Sequence, residues 1–568
     1  MQEPTIRVIF QPMNRVLSVP AGTPLFTALR EAGIWVESIC GGKGFCGKCR
    51  VILTNGTCSS QPDSATACHL SPEEKASGYY LACQVTLTAD AEFMIPVESR
   101  IDSPQILISS TIAIDAVAPS VSRYRVEVMP TEGLPFASHS IRFSGYSGPR
   151  PRMSDERYNA LLTSGIPQSA ILSTARSPPE VIAVGPAEPG VPLYGAAIDL
   201  GTTTVVGCLV NLETGAIAAT ASAMNCQITY GEELITRIGY AASEGGLETL
   251  QRAARESVNT VLLSLAESSG IDNDRIMDVC IAGNTVMNHL LCGMDPRHLD
   301  LANAPVSREP LLKRAGDLGL CTYPESWVYI LPNVSRFVGG DAIGDLIASG
   351  MHVSGEPGLI IDLGTNGEIV LGNRTWSASV SCASGPAFEG AGVTSGMRAM
   401  KGAIDHVRVD PVTREISVTT IGDARARGIC GSGIIDAAVA MLRTGALDFA
   451  GKIRHPHPRV RSGADGYEYV LVPTGDSATG RDIVITQRDI DYLMDSKAAA
   501  CGAIAVLLKK YKCGVDNIRH VYLSGAFGAY TDIKNATRFG ILPEFPHAEV
   551  HAIGNGSLSG AYATLVST

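Results

Sequence analysis

Cys40, Cys46 and Cys49 stand on one glycine-rich loop, Cys40-Gly-Gly-Lys-Gly-Phe-Cys46-Gly-Lys-Cys49, and Cys83 follows in Tyr-Leu-Ala-Cys-Gln. Thiolates on a tight loop can converge on two irons, and glycine backbones come close enough to donate N–H bonds to cluster sulfur. Gly41, Gly42, Gly44 and Gly47 provide that backbone. The chemistry this pattern points to is one-electron transfer through a [2Fe–2S] cluster, with Cys40, Cys46, Cys49 and Cys83 as its ligands. A zinc knuckle would want two paired CxxC or CxxH units, and only Cys46-x-x-Cys49 has that form. Cys58 and Cys68 lie between the ligands and compete with Cys83 for the fourth position. Gly42–Cys49 also fits GxxxxGK, but a cysteine stands where a P-loop needs Ser or Thr on magnesium.

A second chemistry is written twice. Ala196-Ala-Ile-Asp199-Leu-Gly201-Thr202-Thr203-Thr204 returns as Leu359-Ile-Ile-Asp362-Leu-Gly364-Thr365-Asn366-Gly367. Each copy is an apolar strand, an Asp-Leu-Gly-Thr turn and another apolar run. Glycine admits backbone N–H groups to phosphate oxygens, and the hydroxyls add donors. The same Thr residues also suit turn geometry. Asp199 and Asp362 are the candidate catalytic residues, placed to hold Mg2+ through water or to orient the attacking water. Gly201, Thr202, Thr203, Thr204, Gly364, Thr365 and Asn366 are the candidate phosphate contacts. Two Gly-rich segments, Cys382-Ala-Ser-Gly-Pro-Ala-Phe-Glu-Gly-Ala-Gly and Gly428-Ile-Cys-Gly-Ser-Gly-Ile-Ile-Asp436, add to the inventory. The second opens a helix over 434–442 whose Gly431, Ser432 and Gly433 face a phosphate or an adenine, or else serve close packing. Cys382 and Cys430 have no CxxC neighbour, which argues against a second cluster.

The elements that must position these residues are partly readable. Thr5–Phe10 and Arg15–Val19 alternate as strands about the turn Gln-Pro-Met-Asn. Thr23 stands as N-cap, Pro24 at the first helical position and Gly33 just past the end of a helix over 25–32. After the cysteine loop, Arg50–Thr54 is the next strand. This order resembles a β-grasp [2Fe–2S] ferredoxin, and the C-x5-C-x2-C spacing resembles the adrenodoxin type. From 99 to 192 the signal is weak: strand-like runs at 106–114 and 124–128 are broken by Pro-, Ser- and Gly-rich segments, read as a linker and small accessory domain.

The duplicated half resembles the actin, heat-shock chaperone and sugar kinase superfamily, whose ribonuclease H-like lobes clamp ATP. That resemblance implies that Gly340 and Asp341 open a first connecting helix. It also implies that Gly525, Ala526 and Phe527 pack on adenosine, and that Asn555–Ala561 begin a second connecting helix. The expected architecture is α/β and multidomain: residues 1–98 a ferredoxin domain, 99–192 linker and middle domain, and 193–568 the duplicated ATPase domain.

Composition fits this. A chain of 568 residues, 45% apolar and 18% charged, has room for two to four domains. Its net charge of −11 argues against non-specific nucleic-acid binding. The start Met-Gln-Glu-Pro-Thr-Ile-Arg has no signal-peptide core and no run of 18 or more apolar residues occurs, so a cytoplasmic protein without membrane contact is expected. Fifteen cysteines in such a chain are not a disulfide framework.

A ferredoxin needs no ATP for downhill transfer. For one electron, each ~59 mV uphill costs about 1.4 kcal/mol, and a nucleotide clamp can supply that by stabilising one state of a complex. The combination, together with Ala282-Gly-Asn-Thr-Val-Met-Asn-His289 and Ser384-Gly-Pro-Ala-Phe-Glu-Gly-Ala-Gly392, resembles the reductive activators of corrinoid proteins. One branch of that family carries C-terminal [4Fe–4S] clusters. This chain ends without cysteine and resembles the [2Fe–2S] branch. The resemblance implies ATP-dependent transfer of one electron to Co(II) of a corrinoid protein in a methyltransferase system, an external low-potential reductant and a homodimer. Two other classes stand beside it: an activator of a radical dehydratase or ring reductase, and a kinase or chaperone-like module sensed by a ferredoxin. The first would need a cysteine pair within the ATPase fold, and the second a catalytic Asp in a substrate cleft.

Overall fold

The computed structural model describes residues 5–567, apart from 35, 37–46, 48, 61–69, 71, 97–98, 101–115, 131–138, 165, 188–189, 232, 365, 391 and 465. Cys40, Cys46, Cys68, Thr365 and the run 106–114 therefore lie outside the described residues.

Alternation in Thr5–Gln11 turns Ile6, Val8 and Phe10 inward. This strand pairs antiparallel with Arg15–Pro20 and parallel with Ala91–Met94, inside a five-stranded sheet that ends on Arg50–Gly56 and Tyr79–Leu81. The helix Leu25–Glu31 covers the sheet with Leu25, Ala28 and Leu29, one helical face, all fully buried. Thr23 does not cap this helix: its hydroxyl donates to Pro20 O at 2.7 Å, and the Pro24 carbonyl accepts from Thr27 and Ala28 N–H instead. Gly33, at φ +70°, ends it as expected.

The middle stretch folds as an antiparallel four-stranded sheet, in the spatial order Glu180–Pro186, Gln168–Ser173, Val121–Pro130, His139–Phe143. The helix Asp155–Thr163, capped by the Ser154 side chain, lies between its two hairpins in the chain. The sheet has a small core around Phe143, Leu161 and Leu172. Val121, Ile171 and Ile182 also join the core beneath the next sheet, so the stretch is an outrigger packed on the duplicated half.

That half is a duplication in three dimensions as well as in sequence. The first lobe strings Tyr194–Leu200, Thr204–Asn211 and Ile217–Met224 into an antiparallel meander, with Ile276–Gly283 and Trp327–Ile330 added in parallel on the other side. The second lobe repeats the order with Gly358–Leu363, Gly367–Asn373 and Trp376–Cys382, then His520–Ser524 and Glu549–Gly554 in parallel. In both, the Asp-Leu-Gly turn leaves the carboxyl end of the central strand, where open α/β sheets bind ligands. Two helices cross between the lobes, Gly340–Ser349 and Gly556–Val566. They meet so closely that a Cβ on Gly560 would lie 2.3 Å from Gly344 Cα.

Candidate functional site

Two of the four predicted cluster ligands are described, and the fold brings them together. Cys49 immediately precedes the strand Arg50–Gly56, Cys83 sits in the 3-10 turn Ala82–Gln84, and their Sγ atoms are 3.4 Å apart. A disulfide would hold them at about 2.05 Å; this separation suits two thiolates on one metal. The backbone reinforces the pairing, because Ala82 N–H donates to Cys49 O at 2.7 Å. Arg50 steadies the loop by donating Nε–H to Gly47 O at 3.0 Å, where Gly47 takes φ +67°. Gln84 points an amide N–H at Cys83 Sγ from 3.8 Å, the kind of contact that tunes a cluster's potential. Cys58 is packed at the edge of the domain core, and burial raises its thiol pKa. The two described donors fit the iron–sulfur group, and Cys40 and Cys46 lie outside the described residues.

The second site lies where the duplicated strands end. Asp199 is half-buried, and its two carboxylate oxygens accept from Asn555 Nδ2 and Ser557 Oγ, each at 2.8 Å. Both donors stand at the start of the helix Gly556–Val566, which follows the second lobe's last strand. The reciprocal contact runs the other way: Ser524, ending a second-lobe strand, donates its hydroxyl to Asp345 at 2.6 Å on the helix Gly340–Ser349. Each connecting helix is thus hydrogen-bonded to a strand end of the other lobe.

Asp341 opens that same helix and accepts N–H bonds from Gly339 (3.1 Å) and Ala342 (2.8 Å). Strand register sets Glu368 directly opposite Asp362. Gly525 is required beside Asp362, because a Cβ there would lie 2.6 Å from Asp362 Oδ1. Asp199, Asp341, Asp345, Asp362 and Glu368 therefore gather at one cleft. Burial pushes Asp199 up, and Asp341 up to about 6 with the Asp199 charge adding to it. Burial, with Asp362 and the neighbouring acids, pushes Asp345 and Glu368 well above the carboxylate range. The main influences on these four are burial, the neighbouring acids and hydrogen bonds. Such a set is suited to a hydrated divalent cation carrying phosphates, since Mg2+ takes one or two carboxylates and keeps several waters.

The turns themselves are pinned by residues outside the two Asp-Leu-Gly repeats. Asn225 Nδ2 donates to Gly201 O at 2.8 Å, and the fully buried Arg237 donates to Thr202 O, to Gly231 O (2.7 Å) and to Gln227 Oε1 (3.1 Å). In the second copy Ser384 Oγ donates to Gly364 O at 2.9 Å, and Gly364 N–H donates to Asn366 O at 3.1 Å. Both pins follow the third strand of their meander. Gly431, Ser432 and Gly433 open a longer helix than expected, Gly431–Thr444. A Cβ on Gly431 would meet Phe388 O at 1.7 Å, and one on Gly433 would meet Ile404 O at 2.2 Å, so close packing explains both glycines. Phe527 is likewise buried, edge-on to Phe388 with ring centroids 5.6 Å apart.

A ferredoxin sheet joined to a two-lobed duplicated fold with a carboxylate cleft defines an ATP-dependent electron-transfer protein. Residues 8–88 match the 2Fe-2S iron-sulfur cluster binding domain, 194–354 the RACo middle region, and 356–568 the C-terminal domain of RACo, the ASKHA domain. The chain is 30% identical to the corrinoid activation enzyme RamQ of Eubacterium limosum, over 99% of this chain and 93% of that one. It is 26% identical to the [Co(II) methylated amine-specific corrinoid protein] reductase of Methanosarcina barkeri, over 65% and 69% of the two chains. The solved structure of a reductive activator for corrinoid, iron-sulfur protein superposes with a TM-score of 0.73 at 33% identity, covering 99% of this chain and 92% of that one. The chain belongs to the reductive activators of corrinoid proteins. Among the described residues, no helix is long and apolar enough to cross a membrane.

Proposed function

We propose that this protein restores an oxidised corrinoid partner by delivering one electron to its Co(II) centre, giving Co(I) for methyl transfer, and that ATP–Mg2+ in the cleft gates the delivery. The observation that carries the reading is the presence, in one chain, of the Cys49–Cys83 sulfur pair and the carboxylate cleft. Cys40, Cys46, Cys49 and Cys83 hold the [2Fe–2S] group, which supplies a single electron. Asp199 and Asp362 face the nucleotide: one holds the cation through water and the other orients the attacking water, with Asp341 completing the acidic set. The turns Gly201–Thr204 and Gly364–Asn366 cradle the phosphates. Gly340 permits the helix start beside them, and Gly525, Ala526 and Phe527 back the adenosine side. Gly431, Ser432 and Gly433 enter this reading only through motif order.

Because Asn555 and Ser557 hold Asp199 across the lobes, closure on the nucleotide is felt at the helix crossing. A domain movement of that kind alters affinity for the partner only through contacts that differ between the open and closed states. The electron enters from an external low-potential reductant, and the partner belongs to a methyltransferase system. The protein acts as a homodimer in the cytoplasm.

Mixing the reduced protein with Co(II) corrinoid proteins and following the cobalt spectrum tests the reading. Co(I) absorption is expected with ATP–Mg2+ and not without it; no reduction of any candidate partner overturns the proposal. Asp199→Ala and Asp362→Ala are expected to lower ATP turnover at least 100-fold while the cluster remains reducible, and unchanged turnover in both would refute the phosphate-turn assignment.

A further inference from the structure

The second-lobe strands Gly358–Leu363, His520–Ser524 and Glu549–Gly554 run parallel, with Asp362, Ser524 and Asn555 at their carboxyl ends. Their amino ends carry a different group of side chains, four residues back along the central strand from Ser524, or roughly 13 Å at 3.3 Å per residue. The two-residue period of a strand sets Glu549 and His551 on one face. The parallel register places His520 opposite Glu549 and Tyr522 opposite His551. Three donors therefore converge: His520 Nδ1 lies 3.2 Å from His551 Nε2, and His551 Nε2 lies 3.8 Å from Glu549 Oε2. All three ligand atoms fall within 4.8 Å of one another.

The remaining nitrogen of His520 settles which lone pair faces the group. Its Nε2 is 3.2 Å from Glu356 Oε2, just before the neighbouring strand, and Gly358 pairs with His520 in register. A carboxylate accepting from Nε2–H leaves Nδ1 as the unprotonated nitrogen, turned toward His551 and Glu549. This carboxylate–histidine arrangement is the one that orients imidazoles on metals. Tyr522 stacks on His551 with centroids 5.0 Å apart at 22°, which restrains the second ring.

We propose that His520, His551 and Glu549 form a zinc site, with Glu356 orienting His520 and a fourth position open to water. Zn–N and Zn–O bonds of about 2.0–2.2 Å place the ligands of a tetrahedral ion roughly 3.4 Å apart. The 3.2 and 3.8 Å separations are within a few tenths of an ångström of that. Two imidazoles and a carboxylate suit zinc, whereas Mg2+ and Ca2+ prefer all-oxygen sets. The two rings are about a quarter exposed, 24% and 30%, so an ion has a way in. The site differs in place and donor type from both the cysteine loop and the carboxylate cleft. It would staple the central strand to the edge strand, the two strands that present Ser524 and Asn555 to that cleft.

The test uses the full-length protein with its cluster assembled, dialysed against a weak chelator and titrated with Zn2+ in competition with a chromophoric chelator. One equivalent of tight zinc is expected beyond the cluster iron. His520→Ala and His551→Ala are expected to weaken it at least 100-fold, and Glu356→Gln 10- to 100-fold, while iron content and ATP turnover hold. Co2+ in place of Zn2+ should give tetrahedral d–d bands without sulfur-to-metal charge transfer. Three results would overturn the site: absence of tight zinc in the parent protein, zinc retained in both histidine variants, or an intense thiolate charge-transfer band. Any of these leaves His520 and His551 as two imidazoles sharing a hydrogen bond. Should His520→Ala lose its iron as well, His551→Gln provides the same reading from the edge strand.

Discussion

Asp278 shows how a single carboxyl can carry a measurable cost. It is buried at the start of the strand Ile276–Gly283, accepts from Ser120 Oγ at 2.5 Å and from Val279 N–H at 3.1 Å, and burial pushes it from 3.8 to about 7. A raised acid binds its proton more tightly in the native state, so stability is full below the unfolded value and falls as pH rises toward 7. Asp278→Asn keeps an oxygen for Val279 and offers an amide to Ser120. It should stabilise the protein at pH 8, by on the order of 2 kcal/mol, and flatten the slope of stability between pH 4 and 7. Urea unfolding of both proteins at pH 5 and pH 8 checks it: equal shifts at both pH values contradict the assignment. The cluster has an equally local test. Cys83→Ala should lose the cluster while Cys58→Ala keeps it, read by iron content and electron paramagnetic resonance; an intact cluster in Cys83→Ala refutes the pairing. Much of this scale was legible in the sequence, because the cysteine loop and both Asp-Leu-Gly turns are short motifs whose members are neighbours in the chain. The pins were not. Arg237 looks like the polar side of an amphipathic helix, yet it is fully buried and spends its donors on the carbonyls of Thr202 and Gly231. Asn225 is an ordinary polar residue brought to its turn only by tertiary folding, and the motifs that contain Ser384 and Asn555 do not announce which carbonyl or carboxylate each one meets. Glu368 becomes part of the cleft through register with Asp362, a fact set by a hairpin rather than a motif.

At the scale of elements, the duplication explains why so much of the ATPase half could be anticipated. An apolar strand, a tight acidic turn and a second apolar run specify a hairpin by themselves, and repetition specifies its partner lobe. The middle stretch lacked such signals because its sheet shares its core with another domain: Val121, Ile171 and Ile182 are buried by the first lobe's elements. Its strands have no continuous local pattern to announce a separate fold. The crossing of Gly340–Ser349 with Gly556–Val566 is the element through which the proposed gating runs. Gly344 and Gly560 allow the backbones to touch, and any side chain at 560 would meet the Gly344 backbone rather than a flexible group. Gly560→Val should therefore force the helices apart and misplace Asn555 and Ser557 from Asp199. Overpacking of this kind costs about 1–3 kcal/mol, and ATP turnover should fall at least tenfold with cluster content unchanged. Turnover at the parent level would show that the crossing does not govern the cleft.

Across the whole molecule, the question is how the cysteine loop is linked to the lobes. The described contacts form one chain: Gly47 O accepts from Arg50, Arg50 pairs with Glu74 at 3.0 Å, and Glu74 also takes Arg481 of the second lobe at 3.3 Å. The Arg481 guanidinium lies over the Tyr79 ring, 5.8 Å from its centroid, and Nη2 reaches the Tyr79 hydroxyl at 3.5 Å. Arg481 is 48% exposed, so the ion pair is screened by water and contributes about 1 kcal/mol or less, and the long ring contact adds little more. A contact this weak can be broken at little cost. Its strength should fall with salt, because an exposed pair is screened over a Debye length of about 8–10 Å near physiological ionic strength. Arg481→Ala should leave the cluster and basal ATP turnover intact. It should also enlarge the radius of gyration measured by small-angle X-ray scattering at low salt, and abolish the salt-dependent expansion expected of the parent protein. An Arg481→Ala protein that is as compact as the parent and expands equally with salt would place the restraint on the ferredoxin domain elsewhere.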